Sequence, residues 1–184
     1  MKKIFSVKAL VATAIGAALF FVLGRFVAIP SGVPNTNISI QYGVLAFVAG
    51  VFGPIAGLLA GLIGHFFIDF SFGWGVWWSW VIASSFFGFA MGFVAKMLKV
   101  EEGQFGGKDI AVFNIGQVVS HLLAWVVIAP VLDIVIYAEP ANKVFIQGLT
   151  SAAINAIATA VVGTLLCLAY SKAIPKKGSL KEED

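Results

Sequence analysis

Cysteine is nearly absent. Cys167 stands alone among 184 residues, so no intrachain disulfide can form, and its place in an apolar run makes it a small packing residue. Charge is scarce as well: 11% of the residues are Asp, Glu, Lys or Arg against 60% hydrophobic, and the mean hydropathy is +0.98. A soluble domain of this length cannot bury so much apolar surface, which leaves an integral membrane protein. Alternating ten-residue strands are missing too, which excludes a membrane barrel, so the apolar runs must be helices that satisfy their own backbone groups. The cations behind the net charge of +3 sit in short clusters without interleaved aromatics, so no nucleic-acid partner is expected and no metal site is either.

Two catalytic signatures fail on inspection. Residues 103–109, GQFGGKD, resemble a phosphate-binding loop, but Glu102 occupies the position five before Gly107, and Asp109 replaces the hydroxyl residue that would hold magnesium. Hydrolysis of ATP by that route is excluded. Ser84, Ser85, Ser120 and His121 are available for nucleophilic chemistry, yet no Gly-x-Ser-x-Gly turn frames any of them, so no enzyme activity is expected of this chain. An internal repeat is lacking, which argues against carriers built from inverted halves.

What is present is a series of six apolar runs, predicted as helices at 7–25, 40–52, 54–70, 76–98, 110–136 and 143–172 in one membrane domain over 1–174, followed by a charged tail at 175–184. The fold class is therefore all-α, with six transmembrane helices. The second run is short, and Gly53-Pro54 turns it directly into the third. Lys2 and Lys3 ahead of Ala12-Thr13-Ala14 outline a cleavable signal, but the run continues to Leu23 and more follow, so 7–25 is kept as a span. With both termini cytoplasmic, Lys2, Lys3, Lys8, Lys96, Lys99, Lys108, Lys172, Lys176, Lys177 and Lys181 lie inside. Only Arg25 and Lys143 lie outside, so ten of the twelve basic residues obey the positive-inside rule.

Polar groups gather at the outer end. The loop 26–39, VAIPSGVPNTNISI, reads as a cap over a site or as a plain connector, and it supplies Asn35 and Asn37. Four of the five tryptophans crowd into residues 74–80, as an interfacial belt or as a pocket wall. Trp77 and Trp78 lie about 100° apart on a helix and Trp74 shares a face with Trp78, so they cannot all point to lipid, and Trp78 is taken as the ring that turns inward. His65 and Asp69 share a face, for helix packing or for a ligand. In the fifth helix Asn114, Gln117, His121 and Trp125 form a polar stripe, the first two read as interhelical packing, and Asp133 and Tyr137 follow further out. Glu139, Asn142 and Gln147 complete the outer cluster. Aromatics, amides and a few charges beneath a loop describe a small-molecule site.

The small-residue face of the first helix with Ala14-x-x-x-Ala18, the loop IPSGVPNTNI, the hairpin FGPIAGLLAGLIGH, the start WWSWVIAS of the fourth helix and the segment APVLDIVIYAEPANKVFIQG together resemble the substrate-binding S component of an energy-coupling factor (ECF) vitamin transporter. Within that group the chain is most similar to S components assigned to hydroxymethylpyrimidine, the thiamin precursor, or to a pyridoxine-like vitamin. The resemblance implies capture of a vitamin at the outer face of the cell membrane under the first loop, and docking through Ala14 and Ala18. The partners it implies are a transmembrane coupling subunit and two cytoplasmic ATPases that use ATP and magnesium, while this chain binds no cofactor. A self-sufficient ion-coupled carrier or channel is the alternative.

Overall fold

The computed structural model of the chain describes residues 6–73 and 75–174. Trp74, Lys2, Lys3, Lys176, Lys177, Lys181 and the tail expected over 175–184 lie outside them. Among the described residues the helices, in chain order, are α1 (Val7–Val27), α2 (Gln41–Phe52), α3 (Pro54–Phe72), α4 (Trp78–Ala95), α5 (Gly107–Tyr137) and α6 (Ala141–Ala173). Five of them are long and apolar enough to cross a membrane, whereas α2 has only 12 residues. The six runs of the sequence thus become five helices of spanning length and one short one.

Helix ends follow from local chemistry. The Ser6 hydroxyl accepts the Ala9 amide and caps α1. Gly53, at φ +90°, makes the turn between α2 and α3, and Pro54 opens α3. Expected from residue 76, α4 begins instead at Trp78, because Trp77 has non-helical backbone (φ −91°, ψ 85°) and donates its amide to Asp69 Oδ2 at 2.9 Å. Expected from 110, α5 begins at Gly107, because Asp109 Oδ2 accepts the Gly106 amide at 2.9 Å. The aspartate that breaks the phosphate-loop pattern is a helix cap.

Small residues let the backbones meet. A Cβ added at Gly57 would strike the Gly88 carbonyl of α4, one at Gly61 would strike that of Ser84, and one at Gly64 would press on Phe20 of α1. Thus α1, α3 and α4 form a tightly packed slab along one face of α3. Helices α5 and α6 close the other side, joined by Asn114 Nδ2 to Thr164 Oγ1 at 3.1 Å and Gln117 Nε2 to the Ala156 carbonyl at 3.1 Å, which is the packing role expected of those amides. Each also carries one π-helical turn, Leu123–Ile128 in α5 and Thr159–Gly163 in α6. The first has a cause in Pro130, which has no amide hydrogen to donate and whose ring crowds the carbonyl four residues back, so the ladder widens. Gly148 of α6 packs directly on the displaced Trp125 carbonyl.

Between α1 and α2 the chain forms a small hairpin in which β1 (Ile29–Pro30) pairs antiparallel with β2 (Asn37–Ile38). Asn35 at φ +58° and the Ser31–Thr36 hydroxyl pair at 2.5 Å shape its tip. The hairpin, Trp77 and the connection 138–140 meet at one end of the bundle. Residues 103–109 share a shallow depression at the other end with the close of α6. On the outer face of α1, Ala14 and Ala18 are exposed, while Gly16 is buried against Val48.

Candidate functional site

A cavity of about 500 Å³ opens at the hairpin end. Asn35 and Asn37 of the hairpin, Gln41 and Tyr42 at the start of α2, and His65 and Asp69 of α3 form one side. Facing them are Trp77 and Trp80, Trp125 and Asp133 of α5, and Gln147, Ser151 and Asn155 of α6.

Asp133 organises the aromatic wall. It is 1% exposed and accepts the Trp77 indole N–H at 2.6 Å, the Trp80 indole N–H at 2.8 Å and the Ser79 hydroxyl. Three donors on one buried carboxylate fix two rings at the mouth. Trp77 also stacks on Tyr137 with centroids 4.2 Å apart, and the Tyr137 hydroxyl accepts the Trp78 amide at 2.9 Å. Trp80 leans on Trp125 at 5.2 Å, and Trp125 meets the edge of Tyr42 at 5.4 Å. The Trp125 indole donates to His121 Nδ1 at 3.1 Å, which leaves the imidazole's Nε2 hydrogen for Thr159 Oγ1 at 3.0 Å.

A second chain of polar groups lies under the opposite wall. His65 Nδ1 is 2.5 Å from Ser84 Oγ, which is 2.8 Å from the Tyr42 hydroxyl, while His65 Nε2 stands 3.6 Å from Asp69 Oδ1. Ser84 is fully buried and does not reach the cavity, so this Ser–His–Asp grouping joins α2, α3 and α4 and does not present a nucleophile. Over the mouth, Gln147 Nε2 donates to the Pro34 carbonyl at 2.8 Å and ties the hairpin to α6. At the rim Lys143 pairs with Glu139 at 2.6 Å.

Of the eleven residues expected to bind substrate, seven line this space: Asn35, Asn37, Asp69, Trp125, Asp133, Glu139 and Gln147. Four do not. Trp78 is 46% exposed and rests on Phe66, so the inward ring is not Trp78 but its neighbours Trp77 and Trp80. His121 is completely buried behind Trp125, stacked on Phe87 at 4.0 Å. Tyr137 stands behind Trp77, and Asn142 is exposed on the first turn of α6. Sequence reasoning passed over Gln41, Tyr42, Ser151 and Asn155. A usable sign existed for two of them, since Gln147, Ser151, Asn155 and Thr159 recur at intervals of four and stripe one face of α6.

The sequence pattern of the family described as "ECF-type riboflavin transporter, S component" matches residues 4–172. The chain belongs to this family of S components. It is 53% identical to a UPF0397 protein of Leuconostoc citreum (strain KM20) over 179 residues, covering 97% of this chain and 95% of that one. It is 49% identical to a UPF0397 protein of Staphylococcus aureus (strain Newman), covering 99% of both. The fold is shared with a crystal structure of an S component for biotin from an ECF-type ABC transporter. There the TM-score is 0.61 at 17% identity, over 88% of this chain and 89% of that one. An S component is the substrate-binding subunit of an ECF transporter and not an enzyme, and it associates with a membrane T component and ATPases. The S component described here is accordingly a multi-pass membrane protein.

Proposed function

We propose that this S component captures a small aromatic vitamin or precursor in the cavity beneath the hairpin and delivers it through an ATP-driven coupling module. The observation that carries this reading is the wall of three indoles, Trp77, Trp80 and Trp125, around a space of about 500 Å³ roofed by the hairpin. That volume falls within the range of small-molecule sites, about 300–1,000 Å³. Hydroxymethylpyrimidine or a pyridoxine-like ring is the ligand the sequence resemblance favours, and the space left around one such ring would also admit a larger fused system. Asn35, Asn37 and Gln147 hold the ring's polar edge. The cavity faces outward: among the described residues Lys8, Lys96, Lys99, Lys108 and Lys172 belong to the opposite end, and only Arg25 and Lys143 to this one. The exposed Ala14–Ala18 face of α1 is the docking surface for the coupling subunit.

Tryptophan emission of the purified chain, titrated with hydroxymethylpyrimidine, thiamin, pyridoxine, pantothenate, riboflavin and folate, tests the reading. Saturable quenching by one of them at nanomolar concentration is the expected result. Absence of binding below the micromolar range by all six would sink it.

A further inference from the structure

Three carboxylates line the cavity, Asp69, Asp133 and Glu139, and Glu139 already holds the one lysine of the lining, Lys143. Asp69 and Asp133 are 8% and 1% exposed. Both oxygens of Asp133 accept from indole donors, so the group stands as an acceptor on each side. Asp69 accepts one backbone amide, and its other oxygen is 3.6 Å from His65, too long for a hydrogen bond. Of the cations at this end, Lys143 is held by Glu139, and Arg25 lies over the rings of Phe72 and Phe26 at 4.2 and 5.5 Å, off the lining.

The donors of the wall are turned away. The indole N–H groups of Trp77, Trp80 and Trp125 all point at protein acceptors, so these rings offer the cavity only their faces. Tyr42's hydroxyl is engaged with Ser84, and the Gln41 and Gly43 amides at the start of α2 go to Ser39 Oγ and the Ile40 carbonyl. Side-chain amides and the hydroxyls of Thr36, Ser39 and Ser151 offer donor and acceptor alike and do not alter the balance. What remains is acceptor oxygens and π faces, both of which attract positive charge in a medium of low dielectric. A buried acid without a counter-charge is costly, and a cation supplied by the ligand removes that cost.

We infer that the ligand is a flat heterocycle bearing a positive charge, and that Asp69, whose Oδ1 has no hydrogen-bond partner, selects for it. This deepens the capture reading and rests on it. The test uses the full chain with ligands matched in size: pyridoxamine, pyridoxine and 4-pyridoxate share one ring and carry cationic, neutral and anionic groups. Thiamin, riboflavin and folate form a larger set of the same order. The cation in a set should bind about tenfold or more tighter than the neutral member, the size of one charge-assisted contact, and the anion weakest. Asp69→Asn should erase that preference, weakening the cation about tenfold more than the neutral ligand, and Asp69→Glu should restore part of it. A neutral or anionic member binding as tightly as its cation overturns the inference and leaves capture intact, and so does an equal loss for cation and neutral ligand in Asp69→Asn. If these six and hydroxymethylpyrimidine and pantothenate all fail to bind, capture itself falls.

Discussion

Trp78 and Trp80 sit two residues apart and do different work. Trp80 gives its indole hydrogen to Asp133 and a ring face to the cavity, whereas Trp78 is half exposed against Phe66. Base–aromatic stacking contributes roughly 1–3 kcal/mol per ring in nucleic-acid systems. Trp80→Ala should therefore weaken ligand binding at least about tenfold, while Trp78→Ala should change it less than about twofold, as measured by calorimetric titration of the purified chain. The residue scale is also where sequence reasoning slipped. Assigning Trp78 to the interior assumed that 76–98 was already helical, so that neighbouring tryptophans diverge by about 100°. Asp69 captures the Trp77 amide and holds that residue outside the helix, which rotates the whole set of rings. No periodicity in residues 74–80 encodes a contact made by a residue on the preceding helix.

Among the elements, hydropathy revealed the apolar helices because a backbone in lipid must bond to itself, and that constraint is local. The grouping of Asp133 and Asp69 at one end of the bundle was legible for the same reason, since helix length sets depth. Partner choice was not legible: that Gln147 would reach a hairpin carbonyl 113 positions away follows only from assembly. The close approach of α3 and α4 makes a sharp prediction. At Gly88 an added side chain meets Gly57 backbone and not a movable side-chain tip. Overpacking of this kind costs about 1–3 kcal/mol or more, so Gly88→Leu should lower the thermal midpoint in detergent by several degrees while Gly107→Ala, at an open position at the start of α5, costs less. Unlatching the hairpin with Gln147→Leu removes one hydrogen bond, worth about 0.5–1.5 kcal/mol net, and should speed amide exchange at Ser31 and Thr36 in the ligand-free protein by about two- to tenfold.

At the scale of the whole molecule, binding and transport separate. An S component works with a membrane T component and ATPases, so vesicles holding this chain alone should bind ligand without accumulating it, and adding the coupling module with ATP should start uptake. Ala14→Leu combined with Ala18→Leu enlarges an exposed face of α1 that touches neither cavity nor core. The pair should abolish coupled uptake while leaving the dissociation constant unchanged. If transport survives both substitutions, the docking face lies elsewhere.

The shortness of α2 has an electrical consequence. Both α2 and α3 start from the Gly53 turn, but α2 has 12 residues and α3 has 19, so at about 1.5 Å per residue α2 stops roughly 10 Å short of its neighbour's outer end. The floor of the cavity, at Gln41 and Tyr42, is sunk by that distance, about a third of a hydrocarbon core some 30 Å thick. A cation held above that floor at Asp69, three residues inside the end of α3, stands about 4.5 Å deep and has crossed about a seventh of the membrane potential, worth about 0.3 kcal/mol per 100 mV from a full drop of ~2.3 kcal/mol. In energised vesicles with a negative interior, affinity for the cation should rise by a little under about twofold for each 100 mV imposed, and a neutral ligand should show no such dependence.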